Sequence, residues 1–159
     1  MTEILKLLEK NGKLTAKQIA SMTGYAESEV EEVIKRYEAD GTILKYTALV
    51  DWDKTKVEAV TALIEVKISP QRGEGFDRIA ERIYQYDEVE SLYLMSGAFD
   101  LAVIMTAKSM RDVAEFVYVH LAPIDGVAGT ATHFILRKFK EKNCVFIKAP
   151  EQEERVLFV

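Results

Sequence analysis

The segment whose charges bear most directly on function is residues 27–40. Six carboxylates and two basic side chains occur there: Glu27, Glu29, Glu31, Glu32, Glu38 and Asp40 against Lys35 and Arg36. Basic side chains bind phosphates, whereas carboxylates repel them and at most accept a hydrogen bond from the N4 amino group of cytosine. The whole chain also carries a net charge of −5. Charge alone therefore weighs mildly against tight nucleic-acid binding without excluding it.

Side chains that could bind a metal or carry out catalysis are few. The chain has two histidines, His120 and His133, and one cysteine, Cys144. Neither histidine has a second ligand at metal-binding spacing, and Cys144 lies in an apolar run typical of a packed strand. Acid pairs such as Glu31 and Glu32 are sequence neighbours and do not form a catalytic dyad, which needs carboxyls that converge on one buried site. We therefore expect no metal, no cofactor and no enzymatic activity.

Cysteine content and hydropathy also indicate where in the cell the protein is expected. A single cysteine excludes an intrachain disulfide and indicates the reducing cytoplasm. No apolar run approaches the roughly 20 residues that a membrane span requires, so we expect no membrane contact. Hydrophobic residues make up 48% and charged residues 30% of the 159 positions, which is typical of a globular protein.

The N-terminal part of the chain has the pattern of three short helices. Thr15 and Gln18 fit a capping box at the start of the second helix, and Ser28 with Glu31 fits another at the start of the third. A short turn that contains glycine separates these two helices, which is the layout of a helix-turn-helix. Residues 42–47 then have an extended pattern, expected to form a wing or an exit strand.

From residue 59 the hydrophobic period changes. The pattern predicts strands at 60–68, 89–95 and 100–107, helices from Phe76 and from Met110, and a last strand through Phe134, Leu136 and Phe139. This βαββαβ order is the split βαβ, or ferredoxin-like, arrangement, with helices on one face of an antiparallel sheet. Because some strands are apolar on both faces, we expect a second copy to cover the other face in a twofold homodimer.

Four segments, in order, carry a resemblance to a known family. They are ILKLLEKNGKLTAKQIA in the first two helices, YEADGTILKYTALVD after the third, the turn SGAFDLAV, and DGVAGTATHFILRKFK around the last strand. On these segments the chain resembles the leucine-responsive/asparagine-synthesis (Lrp/AsnC, or feast/famine) regulators over roughly residues 3 to 140. The resemblance implies a DNA-binding transcriptional regulator that responds to an amino acid or related small metabolite. It also implies a homodimer that can assemble further into an octamer.

The family implies an effector pocket near one turn and one strand. By similarity, its residues here are Ser96, Gly97 and Asp100 in the turn and Thr130 and Thr132 at the start of the last strand. The structural alternative is a hairpin turn, for which glycine and aspartate are common choices, and two β-branched residues on one strand face. Both interpretations remain open at this stage, since turn chemistry and ligand contact can coexist.

The family also implies that the third helix contacts DNA. The residues in question are Ser28, Glu29, Glu32, Lys35 and Arg36. The chain departs from the family pattern here, because Glu32 and Val33 stand where relatives usually present an arginine pair, and Ala26-Glu27 replaces a serine–proline start. The alternative function is therefore a metabolite sensor or protein-interaction module whose helix-turn-helix no longer binds DNA. A haem-precursor decarboxylase of similar build would need clustered histidines, which the sequence lacks.

Together, pattern and resemblance predict an α+β protein in four segments. A winged helix-turn-helix spans 1–46, a linker 47–58, a ferredoxin-like ligand-binding and oligomerisation domain 59–141, and a C-terminal extension 142–159. The extension ends in RVLFV, which is unusually apolar for a chain end. We therefore expect the extension to dock on the sheet or on a partner subunit.

Overall fold

The computed structural model describes residues 1–69 and 75–146. The chain divides into two compact units, Met1–Val50 and Asp51–Val159. The first unit contains α1 (Thr2–Lys10), α2 (Ala16–Thr23) and α3 (Glu27–Ala39). The second contains β1 (Val60–Ile68), α4 (Phe76–Tyr84), β2 (Val89–Leu94), β3 (Leu101–Ala107), α5 (Met110–Phe116), β4 (Val127–Phe134), β5 (Lys140–Glu141) and β6 (Cys144–Val145). None of the described helices is long and apolar enough to cross a membrane.

The helix-turn-helix unit is built around one small core. Its buried members come from all three helices: Ile4, Leu8, Ile19, Val30 and Val33. At the start of α2, the Gln18 N–H donates to Thr15 Oγ1 and the Thr15 N–H donates to Gln18 Oε1, which confirms the predicted capping box. Gly24, with φ at +79°, ends α2 in the left-handed conformation that glycine adopts without strain.

Two local predictions for this unit are wrong. The helix α3 begins at Glu27, and the side-chain contact at its N-terminus is made by Glu29, whose Oε2 accepts from the Ala26 N–H at 3.1 Å. The predicted Ser28–Glu31 capping box is therefore not formed, because the extended residue that starts the helix is Ala26. Residues 42–47 form no strand, since the structure pairs them with no other described strand.

The second unit has the predicted ferredoxin-like topology. Its sheet is antiparallel in the order β2-β3-β1-β4, with β2 and β4 at the edges. Both helices, together with the π-helical segment Val117–Leu121 that follows α5, pack on one face, where they share a core with alternate residues of β1 and β3. That core consists of Ala62, Ile64, Val66, Ile68, Ile79, Ile83, Leu101, Val103, Met105, Val113, Phe116 and Leu121. The opposite side chains of the same strands form a second face, which we call the open face.

The C-terminal part of this unit differs from the predicted strand. Strand β4 ends at Phe134, and Leu136 and Phe139 lie beyond it as exposed residues. The chain then forms a short hairpin from β5 and β6, which have two residues each. The turn residues Lys142 and Asn143 have positive φ. Cys144 lies in β6 but is exposed, so the prediction of a packed cysteine is wrong. The predicted docking of the apolar chain end concerns residues 147–159, which lie outside the described residues.

Candidate functional site

The helix α3 presents all five predicted DNA-contacting residues to solvent. Ser28, Glu29, Glu32, Lys35 and Arg36 are exposed, whereas Val30 and Val33 are buried. At 100° per residue, the five exposed positions share an arc of about 120° opposite the buried side. We call this arc the α3 outer face. The charges of its two acidic and two basic side chains cancel. The remaining acids of the helix therefore lie elsewhere.

Those remaining acids lie on one flank of α3 or at its C-terminal end. Glu31, Glu38 and Glu27 project roughly 100–140° to one side of the centre of the outer face. Glu38 also has a local partner, because its Oε1 accepts a hydrogen bond from the Tyr46 hydroxyl at 2.9 Å. Burial raises the pKa of Tyr46, and the hydrogen bond to Glu38 acts in the same direction. The carboxylates of α3 thus form two sets: Glu29 and Glu32 lie on the outer face, and the others lie on the flank or at the C-terminal end.

Two further carboxylates accept hydrogen bonds from backbone N–H groups at the two ends of α3. Hydrogen bonds from Thr42 lower the pKa of Asp40, whose Oδ1 accepts from the Thr42 N–H at 2.9 Å. Glu29, on the outer face, uses one oxygen to accept from the Ala26 N–H. Glu32 is consequently the acid in the middle of the outer face, next to Lys35 and Arg36 at helical spacing.

The predicted ligand turn joins β2 to β3. Ser96 and Gly97 are exposed there, and Gly97 has φ at +143°, which favours glycine. Asp100 is half-buried, and its Oδ2 accepts a hydrogen bond from the Ile68 N–H at 2.7 Å. The Asp100 N–H donates to the Val66 carbonyl at 3.0 Å. Asp100 therefore ties the turn to the C-terminal end of β1, so one of its oxygens already has a structural use.

The two threonines lie on β4, on the other side of β1 from the turn. Thr130 pairs with Val66 and Thr132 with Ile64. Both are half-buried and share the helix-covered face of the sheet. The spacing of adjacent strands, about 4.8 Å, puts Thr130 and the backbone of Asp100 roughly two strand spacings apart. The structure thus brings Asp100 and Thr130 to one end of the sheet, while Thr132 lies one residue pair further inward.

The contact between Asp100 and Ile68 leads to a prediction about stability. Replacing Asp100 with Ala should lower the free energy of unfolding by about 1–3 kcal/mol, because a partly buried N–H loses its acceptor. Asp100→Asn, which keeps a carbonyl oxygen in that place, should lose less. Urea unfolding followed by circular dichroism measures both variants. Equal stability of Asp100→Ala and the unmodified chain would mean that this contact contributes nothing.

Sequence reasoning missed a glycine next to this site. Gly126 has φ at +92°, and a Cβ built there would lie 2.9 Å from Ile79 Cδ1. Its carbonyl accepts from the Ser69 N–H at 2.8 Å, which connects the start of β4 to the end of β1. The pair Asp125-Gly126 is a common turn signal, and this was the available clue.

Each histidine contacts identified side chains of the second unit. His133 lies on the open face, where its Nε2 is 3.2 Å from Glu65 Oε1. His120 packs its ring against Tyr86 and Phe116, with centroids 4.6 and 5.3 Å apart. Among the residues that the structure describes, no three His, Cys, Asp or Glu side chains group around a possible metal position.

Comparison with known families matches both units. The model for the Lrp/AsnC ligand binding domain matches residues 61–145, and a model for winged helix-turn-helix DNA-binding proteins matches residues 2–43. The HTH-type transcriptional regulator YugG of Bacillus subtilis (strain 168) is 45% identical over 157 residues, which cover 98% of this chain and 94% of that protein.

Solved structures agree with the fold. The crystal structure of PH0061 has a TM-score of 0.76 at 20% identity and covers 88% of this chain and 93% of its own. The regulator NMB0573 from Neisseria meningitidis, solved as a complex with L-Met, has a TM-score of 0.68 at 25% identity, covering 87% and 88% of the two chains.

Proposed function

The chain belongs to the Lrp/AsnC family of helix-turn-helix transcriptional regulators, and on that premise we propose that it binds promoter DNA through α3 and responds to an amino acid or related small metabolite. The family matches extend over both units. They do not favour the alternative of a sensor or interaction module whose helix-turn-helix has lost DNA. The proposed mechanism is binding alone, with no catalytic step and no cofactor, as is usual for the regulators to which the chain is similar.

The observation that supports DNA contact is the segregation of charge on α3. Its outer face carries Glu29 and Glu32 against Lys35 and Arg36, so the face that would enter a groove is close to neutral. Glu27, Glu31 and Glu38 lie to one side, where they would repel phosphates less directly. Weak contacts by one helix add up when a symmetric dimer presents two of them to the same DNA.

The proposed effector site is the end of the sheet that carries Ser96, Gly97, Asp100, Thr130 and Thr132. Exposed backbone N–H groups of a turn and threonine hydroxyls can hold the carboxylate of an amino acid. Because one oxygen of Asp100 is bonded to Ile68, we propose that Asp100 positions the turn and contacts the ligand only through its other oxygen. The regulator bound to L-Met supports an amino acid as the ligand class.

We also propose that the protein is a homodimer, able to form an octamer, that assembles through the open face of its sheet. Leu63 and Ile104 pair across β1 and β3 at the centre of that face, beside the buried Ala102. A face with apolar residues at its centre and a polar rim is typical of a protein interface. The proposal also includes the segment boundaries given above, which place the ends of the winged helix-turn-helix, the linker and the ligand-binding domain at residues 46, 58 and 141. It further includes a cytoplasmic location.

A single binding experiment tests the proposed function. The full chain is titrated against labelled DNA from the region upstream of its own gene at low and moderate salt, with each of the twenty amino acids in turn. We expect binding that weakens as salt rises, and a shift in affinity with at least one amino acid. The same amino acid should raise the melting temperature, since a ligand that binds only the folded state stabilises it. Absence of DNA binding at low salt would refute the proposal.

A further inference from the structure

One ion pair lies beside the apolar centre of the open face. His133 on β4 and Glu65 on β1 approach each other, with Nε2 of the histidine 3.2 Å from Oε1 of the glutamate. Glu65 pairs in register with Ala102 on one side and with Ala131 on the other, and neither alanine side chain can form a hydrogen bond. His133 pairs with Leu63, in the neighbouring residue pair on the same face. The histidine is therefore the side chain that reaches the carboxylate of Glu65.

This pair contributes little while the face is open to water. The side chains of His133 and Glu65 are 57% and 34% exposed in a single subunit, and solvent screens exposed ion pairs. A second copy laid over Leu63 and Ile104 would exclude water from these neighbouring side chains as well. An ion pair without water depends on both charges, because a single charge buried in an apolar contact loses its hydration without compensation. Covering the open face thus makes association sensitive to the charge of His133.

We propose that His133 makes dimerisation through the open face depend on pH, and that the dimer takes up protons as it forms. This inference rests on the homodimer proposed above. Histidine is the side-chain type whose charge ordinarily changes between about pH 5 and 8. With neutral imidazoles, a twofold dimer would hold two Glu65 carboxylates in its interface without countercharges, whereas protonated imidazoles neutralise both. Association is therefore tighter where His133 is protonated.

The direction of the pH effect follows from the protonation state that the interface favours. Contact with a covered carboxylate favours the protonated imidazole more strongly in the dimer than in the free subunit. The added stability is fully present at pH values where the free subunit is already protonated, and it is lost as pH rises through the range in which the dimer releases its protons. Because each dimer carries two copies of His133, the dissociation constant should rise roughly tenfold or more between pH 6 and pH 8.

The other charged and titratable groups of these strands do not account for such an effect. Lys67 lies on the open face at the exposed end of β1, and Tyr93 and Glu90 lie on β2, at the opposite edge of the sheet from β4. The strand β3, with the sequence LAVIMTA, contains no charged residue. Lysine, tyrosine and glutamate do not ordinarily change charge between about pH 6 and 8. A second copy brings the same set of groups, so the pH dependence is assigned to His133.

Sedimentation equilibrium of the full chain between about pH 6 and 8 tests this proposal, with circular dichroism as the check of folding. Glu65→Gln should reverse the sign of the pH effect, because a protonated imidazole would then enter the interface without a countercharge. His133→Gln and the double variant should both lose the pH dependence. The matched control His120→Gln should retain it, since the ring of His120 packs against Tyr86 and Phe116 instead. The same pH dependence in Glu65→Gln as in the unmodified chain would overturn the proposal.

Proton uptake gives a second measurement that needs no variant. Heats of dimer dilution in two buffers with different ionisation enthalpies report the protons bound on association near pH 7. We expect net uptake by the unmodified chain. A dimer with a constant dissociation constant across this range, or one that releases protons as it forms, would overturn the role of His133 and leave the dimer in place. A chain that stays monomeric at every pH would instead overturn the proposed dimer, and this inference with it.

Discussion

Glutamate in place of both Leu63 and Ile104 is expected to convert the proposed dimer into a monomer at micromolar concentration. The two side chains are neighbours across β1 and β3, at the centre of the open face. Twofold symmetry brings both substitutions into the interface twice. A carboxylate buried in an apolar contact without a partner costs several kcal/mol, so the dissociation constant should rise at least a hundredfold.

Sedimentation or light scattering measures this change, and circular dichroism shows whether the variant is folded. Lys67→Glu is the matched control, because it places the same residue on the same face at an exposed position of β1. Tyr93→Glu is a second variant of the same face. Because Tyr93 lies on the edge strand β2, this substitution should disturb the packing at the centre of the sheet less. A well-folded monomer before any substitution would contradict the proposed interface directly.

The second large effect is expected at α3. Replacing both Lys35 and Arg36 with Glu should lower DNA affinity at least a hundredfold at moderate salt. The outer face would then carry four acids and no base, and each lost phosphate contact also removes favourable counterion release. The slope of the logarithm of affinity against the logarithm of salt concentration should fall by about 2 if both residues contact phosphates. Gel shifts at several salt concentrations measure both quantities.

Two controls separate contact from net charge. Lys140→Glu with Lys142→Glu makes the same charge change in the C-terminal hairpin and should have a small effect. Glu32→Lys, on the outer face, should raise affinity about tenfold, because each phosphate neutralised contributes on the order of 1–2 kcal/mol at low salt. Glu31→Lys, on the flank, should raise it less. Similar gains in DNA affinity from Glu31→Lys and Glu32→Lys would mean that the outer face of α3 does not face the DNA.

Local hydrogen bonds show where sequence reasoning succeeded and failed. The Thr15–Gln18 capping box was predictable, because both partners lie within one turn and the motif requires only four residues. The motif Ser28–Glu31 fits the same pattern but is not used, since α3 starts two residues earlier than this motif requires, with Glu29 hydrogen-bonded to Ala26. A four-residue pattern cannot show that the chain is already helical before Ser28.

The candidate sites were predictable in part. Residue types and family resemblance pointed to the turn with Asp100 and to β4, but the bond from Ile68 to Asp100 joins residues 32 positions apart. No short pattern contains both. The ion pair of Glu65 and His133 was missed for the same reason, because these residues become neighbours only when β4 pairs with β1.

The sequence by itself determined the helix-turn-helix, the βαββαβ order and the acidic character of residues 27–40, because periodicity, turn residues and charge are properties of short segments. Tertiary structure decided which carboxylates share a face with Lys35 and Arg36, that β4 ends at Phe134, and that Cys144 is exposed. The physical reason is that burial, register and edge position depend on contacts between distant residues. Such contacts form only once the strands have paired and the helices have covered one side of the sheet.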